Sequence, residues 1–157
     1  MNNVEINKQA KLSQHFTLGE LCKTSVKTAD GNIPSHAAIE NLKRLSVWLE
    51  MLRSEWNKRY GDGDDPIIIN SGYRSAQVNK AVGGVATSNH LTGCAVDIRV
   101  LGMEQLLRYA VILLDISDES QEDFDELLIE RNAKGTYWLH FAVRPEGNRR
   151  KIRLIAC

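Results

Sequence analysis

An α+β fold, with a small and mainly antiparallel sheet and helices packed behind it, is predicted by two kinds of hydrophobic spacing in this chain. Between residues 34 and 58 apolar side chains recur every three or four positions, the period of a helix with one buried face. Over residues 95–100, and again over 124–143, apolar and polar residues alternate, the period of strands. The 157 residues are expected to form a single domain with one core. The charge balance, 20 basic against 20 acidic residues, leaves no whole-chain footprint for nucleic acid. No apolar run approaches the roughly 20 residues of a membrane span, so no membrane partner is expected.

In chain order, residues 1–14 are polar and expected to be flexible or loosely docked. In HFTLGELCKTS, Thr17 can cap a short helical turn, Glu20 stands three residues later to complete a capping box, and Phe16 and Leu21 can staple the end. TADGNIP reads as a loop from its Asp-Gly and Pro. Pro34 and Ser35 then open a long helix reaching about Lys58. Its inner face carries Ile39, Leu42, Leu45, Leu49, Leu52 and Trp56; Glu40, Lys43, Arg44, Glu50 and Arg53 fall mostly outside. YGDGDDP breaks that helix. Asp62, Asp64 and Asp65 are expected in a solvated turn, because the spacing and terminal glutamate of an EF-hand calcium loop are missing.

Ile67–Ile69 predicts a short buried strand, Ser75–Ala81 a short helix ended by Gly83 and Gly84, and residues 85–93 a loop. The strand over Ala95–Val100 sets Val96, Ile98 and Val100 on one face and Ala95, Asp97 and Arg99 on the other. A second amphipathic helix is expected over Glu104–Ile116. Phe124–Glu130 and Tyr137–Val143 predict strands joined by RNAKGT, a loop of hairpin length. A tight hairpin sets Glu130 opposite or diagonal to Trp138 and His140. The tail RPEGNRRKIRLIAC is locally basic and predicts a last edge strand with exposed arginines rather than a polyanion site.

The chemistry gathers around residues 67–100. His90 and Asp97 have six residues between them, and His140 follows Asp97 by forty-three. Two imidazoles and one carboxylate are ligand types of a catalytic zinc, which keeps a further position for water. Spacing alone also allows a hydrogen-bonded loop histidine beside a solvent-facing aspartate. Arg74, at the end of a strand, can fork onto a carboxylate through two parallel hydrogen bonds or make a plain surface salt bridge. His15 has no partner at metal spacing and reads as structural or exposed, and His36 as exposed. The three cysteines, Cys22, Cys94 and Cys157, are widely spaced and predict no disulfide framework. Cys94 reads as a small buried residue rather than a nucleophile or ligand.

The motifs SGYRS, N-x-x-V-G-G, S-x-H-x-x-G-x-A-x-D-I and W-x-H occur here in that order. Together they resemble the M15 family of zinc peptidases, D-Ala-D-Ala carboxypeptidases and related peptidoglycan peptidases that share a fold with hedgehog signalling domains. One branch also shows an HFTLGEL-like start, a P…NLKRL helix and an FDELLIE…YWLHF ending, so the resemblance spans residues 12–145. It implies Zn2+ on His90, Asp97 and His140. It also implies Arg74 as the anchor for a substrate carboxylate, with Tyr73, Ser88 and Trp138 as further substrate contacts. Several members carry an acidic base three residues before the last histidine, where this chain has Tyr137. Glu130, ending the FDELLIE strand, is expected to replace it, with Glu126 in reserve.

The resemblance implies zinc-dependent hydrolysis of a peptide bond in peptidoglycan stem peptides, by a D-Ala-D-Ala carboxypeptidase or a murein endopeptidase. The alternative is a non-catalytic zinc-containing module that binds wall peptide or a protein partner. A monomer is expected. The opening residues lack the layout of a secretory signal, so synthesis in the cytoplasm and release by lysis, as for a phage or prophage lysin, is the expected setting.

Overall fold

Residues 6–156 are described by a computed structural model. In order they form α1 (Leu18–Leu21), α2 (His36–Arg59), β1 (Ile69–Ser71), α3 (Ala76–Ala81), a 3-10 turn (Asn89–Thr92) and β2 (Ala95–Arg99). There follow α4 (Met103–Ser120), β3 (Glu126–Arg131), β4 (Tyr137–Ala142) and β5 (Lys151–Ala156). None of the described helices is long and apolar enough to cross a membrane.

Local chemistry accounts for the starts of α1 and α2. Thr17 and Glu20 close the expected capping box on α1. Ser35 Oγ accepts from Ala38 N at 3.1 Å to start α2, and Lys58 and Arg59 sit in its last turn, where the helix dipole favours cations. The stripe Leu42, Leu45, Leu49 and Leu52 is wholly buried. Each such leucine contributes about 1.5–3 kcal/mol by leaving water.

The five strands make one mixed sheet in the order β1-β2-β4-β3-β5. The pairings β1–β2, β2–β4 and β3–β4 are antiparallel, whereas β5 joins β3 in parallel. Alternation assigns residues to faces but names no neighbour, so the parallel partner of β5 is not readable from its own pattern. Val96, Ile98, Leu127, Leu139 and Phe141 form the inner face, beneath α2 and α4. The Trp48 and Phe141 rings meet there at 5.4 Å between centroids. β1 lies at one edge and begins at Ile69, two residues later than expected; Ile67 and Ile69 are buried while Ile68 between them is exposed.

Residues 6–14, expected to be loose, are instead tied down. Leu18 N donates to Ala10 O at 2.8 Å and Gly19 N to Lys8 O at 2.9 Å, while Ile6, Ala10 and Leu12 pack on the core. The rest of the expected loose segment, residues 1–5, lies outside the described residues. His15 is held by α2, with Nδ1 at 2.7 Å from Glu50 Oε1 and its backbone N donating to Glu50 Oε2 at 2.8 Å. The aspartate turn is stitched to α2: Arg53 meets Asp64 at 2.8 Å, and Trp56 Nε1 donates to Asp65 at 3.1 Å.

Two motif glycines are required by close approach. A Cβ on Gly72 would stand 2.0 Å from Leu21 O, at the point where Tyr73 N donates to that same carbonyl at 2.7 Å. Gly93 has φ +74°, ends the 3-10 turn in the left-handed region, and abuts Ala38 O of α2.

Candidate active site

Three elements present three donors to one point. The 3-10 turn carries His90, and Ser88 Oγ caps it by accepting from His90 N at 3.2 Å. Asp97 is the central residue of β2, and His140 lies directly across from it on β4. All three are buried on the sheet face opposite the helices. Their ligand atoms lie within 4.8 Å of one another. His90 Nε2 is 3.3 Å from Asp97 Oδ1, and His140 Nδ1 is 3.0 Å from the same oxygen. Ligands in a tetrahedral zinc shell stand about 3.3 Å apart, given bonds near 2.0–2.1 Å. The donor set therefore fits a zinc-sized cation.

The partners of each ring select the nitrogen it can offer to a cation. His90 Nδ1 is 2.7 Å from Gly72 O, which can only accept, so Nδ1 carries the proton and Nε2 faces Asp97 with its lone pair. His140 has Glu126 Oε1 at 3.1 Å from Nε2, leaving Nδ1 towards Asp97. Glu126 is steadied by Asn89, whose Nδ2 donates to it at 2.6 Å and to Asp125 Oδ2 at 2.7 Å. Glu130 approaches from the Nδ1 side, its Oε1 at 3.4 Å from His140 Nδ1 and accepting from Trp138 Nε1 at 3.1 Å. The hairpin register puts Glu130 opposite Trp138 and Leu128 opposite His140. Glu130 is therefore diagonal to the histidine, one of the two dispositions expected.

These surroundings move the ionisations apart. Burial pushes the Asp97 carboxyl up, but His90 and His140 outweigh it and hold it well below the usual carboxylate range. Burial alone would lower His140, yet its hydrogen bonds to Asp97 and Glu126 raise it to about 10. The Glu126 carboxyl is lowered, first by its hydrogen bond to His140. Glu130 is raised, chiefly by burial, with Asp97 adding to the effect. Two carboxylates on one strand thus shift in opposite directions, one lowered by the ring it meets and the other raised by burial.

A cavity of about 450 Å³ opens over this point, lined by Arg74, Ser88, His90, Asp97, Glu126, Glu130, Trp138 and His140 among others. Arg74 Nη2 donates to Asp97 Oδ2 at 3.3 Å and its Nε to Ser71 Oγ at 3.2 Å. Tyr73 is not brought to the cavity. Its ring packs in the core, and its hydroxyl donates to Ile33 O at 3.4 Å. Cys94 is buried, its thiol pushed up by that burial, and it is not among the residues lining this cavity. Sequence reading missed Asn89, Asp125, Arg144 and Arg149. Arg149 meets Asp125 at 2.7 Å and Arg144 meets it at 3.2 Å, while Arg144 Nε also donates to Asn89 Oδ1 at 3.0 Å. Asn89, beside His90, had only its position as a signal.

A zinc D-Ala-D-Ala carboxypeptidase of Streptomyces albus G is 32% identical to this chain over 85 residues. That match covers 54% of this chain and 31% of that enzyme, so the chain spans about a third of the relative's length. A family model described as Peptidase M15 matches residues 14–113, which take in the cap on α1, the SGYRS segment, His90 and Asp97. The match ends before β3 and β4, so the positions of His140, Glu126 and Glu130 rest on the geometry above. With the greater part of its length in that match, and His90 and Asp97 inside it, the chain belongs to the M15 peptidase family.

Proposed function

We propose that this chain is a zinc-dependent peptidase acting on peptidoglycan stem peptides, as a D-Ala-D-Ala carboxypeptidase or a murein endopeptidase on a hedgehog/DD-peptidase type of fold. Zn2+ is its cofactor, held by His90 Nε2, one Asp97 oxygen and His140 Nδ1. The observation that carries the reading is the approach of Glu130 to His140 Nδ1, at 3.4 Å, beside three converging ligands on the floor of an open cavity.

Bound there, zinc supplies a Lewis acid that polarises a carbonyl and acidifies water. The chain's own residues do the rest. Glu130 takes the proton of the attacking water and returns it to the leaving amine; Trp138 holds its Oε1, and Oε2 has no hydrogen-bond partner among the described residues. Glu126 and the Gly72 carbonyl orient the two imidazoles. Arg74, close to the metal ligands and only partly exposed, binds a substrate carboxylate, and Ser88 and Trp138 border the substrate beside it.

The test is digestion of purified peptidoglycan and soluble stem peptides, with and without a chelator, read by mass spectrometry. Chelator-sensitive loss of a terminal D-Ala, or release of one defined fragment, is expected and names the bond. Intact substrates in the presence of stoichiometric bound zinc would make this a binding module instead.

A further inference from the structure

The basic tail has a place in the cavity. Arg144, Arg149 and Lys151 line the same opening as the ligand triad, beyond Glu126 from His140. Beneath them lies Asp125, with no solvent exposure. Arg149 Nε and Nη2 reach Asp125 Oδ1 and Oδ2 at 2.9 and 2.7 Å, and Arg144 Nε is 3.2 Å from Oδ2. Arg149 N and Asn89 Nδ2 add to the same carboxylate at 3.1 and 2.7 Å. Burial would push Asp125 up, but these donors outweigh it and hold it down at about 2. One fully buried anion thus fixes two guanidinium groups whose outer parts stay open, each side chain between 34% and 39% exposed.

The charge count leaves a surplus. Asp125 and Glu126 bring two negative charges, one of them already engaged by His140, against three cations at the rim. Lys151 is beside Glu126 in the β3–β5 register, yet its ammonium has no ion pair among the described residues. Guanidinium groups fixed in advance lose less freedom on binding than mobile ones, and carboxylate is the planar anion they match.

We propose that Arg144, Arg149 and Lys151 form a second carboxylate-binding subsite, separate from Arg74, which selects substrates bearing an internal carboxylate at a distance from the scissile bond. This rests on the peptidase reading and deepens it: the ligand class is an acidic peptide with two carboxylates, one for Arg74 and one for the Asp125-anchored pair.

Two synthetic stem-type peptides, identical except that one internal carboxylate is free or converted to carboxamide, test it by titration calorimetry on zinc-loaded protein and by hydrolysis rates. The free acid is expected to bind about tenfold more tightly, the scale of one charge-assisted hydrogen bond. Lys151→Met, which disturbs no contact of the Asp125 side chain, should shrink that ratio with little change for the carboxamide, and Arg144→Gln, which also releases Asn89 Oδ1, should shrink it too. Equal affinities for the two peptides, or no binding of either, would overturn the subsite. Failure to hydrolyse either peptide while the affinity ratio persists would remove the peptidase reading and leave the subsite standing.

Discussion

The two faces of the sheet are made by the same strands and obey opposite rules. On the inner face Val96, Ile98, Leu127, Leu139 and Phe141 join the apolar core with residues of α2 and α4. On the outer face the residues between them, Asp97, His140, Glu126 and Glu130, are charged or ionisable and largely withdrawn from water. Packing stabilises the first face and is tolerant of chemistry of similar shape. The second consists of groups that are costly to bury unless each is paired, and here each is paired with a neighbour at the proposed metal centre. The helix-backed face thus carries the stability that lets the other face keep a concentrated set of charges.

The comparison breaks most sharply at Asp97. Asp97→Ala should abolish stoichiometric zinc, measured by elemental analysis, and reduce hydrolysis by at least about a thousandfold, the order of losing a metal-activated nucleophile. The helical circular dichroism should persist, because α2 and α4 rest on the other face.

Glu130 and Glu126 sharpen the outer face itself. Glu130→Gln should lower kcat by about 10²–10⁴-fold with zinc retained, as for loss of a general base. Glu126→Gln should instead weaken zinc about 10–100-fold, read by competition with a chromogenic chelator, because Glu126 orients a ligand. If the two results were exchanged, the roles assigned from the His140 nitrogens would be exchanged too.

Phe141→Ala on the inner face should cost about 3–5 kcal/mol in chemical denaturation, leaving zinc stoichiometry of the folded protein unchanged. The most gradual effect is on pH. His140 is raised to about 10 in the metal-free protein, above the 6.5 of an unfolded histidine. The stability it contributes is fully present below pH 6.5 and is lost as pH rises through about 10, at up to about 1.4 kcal/mol per pH unit. Zinc displaces that proton, so metal affinity should rise across the same window. Denaturation of chelated and zinc-loaded protein at several pH values checks both signs.

Features governed by residues a few positions apart were legible in the sequence. The Thr17–Glu20 capping box, the leucine stripe of α2, and the Glu130–Trp138 pairing across a short hairpin all follow from near neighbours. The convergence of His90, Asp97 and His140 was legible only through the resemblance, because forty-three residues separate Asp97 from His140 and spacing sets no distance between them. Tyr73 was misdirected for a related reason. Its segment is a strand end, but contact with α1 turns the ring into the core. The parallel seat of β5 and the docking of residues 6–14 depend on partners distant in sequence, which no local period encodes.

Gly72 links two parts of the chain that share no chemistry. On one side its bare α-carbon lets Leu21 of α1 come close; on the other its carbonyl aims the His90 ring. The aim of one ligand is therefore set by where the chain's first helix docks. In a zinc finger the metal gathers nearby residues and creates the fold around itself. Here the candidate ligands are brought into line by contacts between distant segments, so tight metal uptake is expected only from the closed fold.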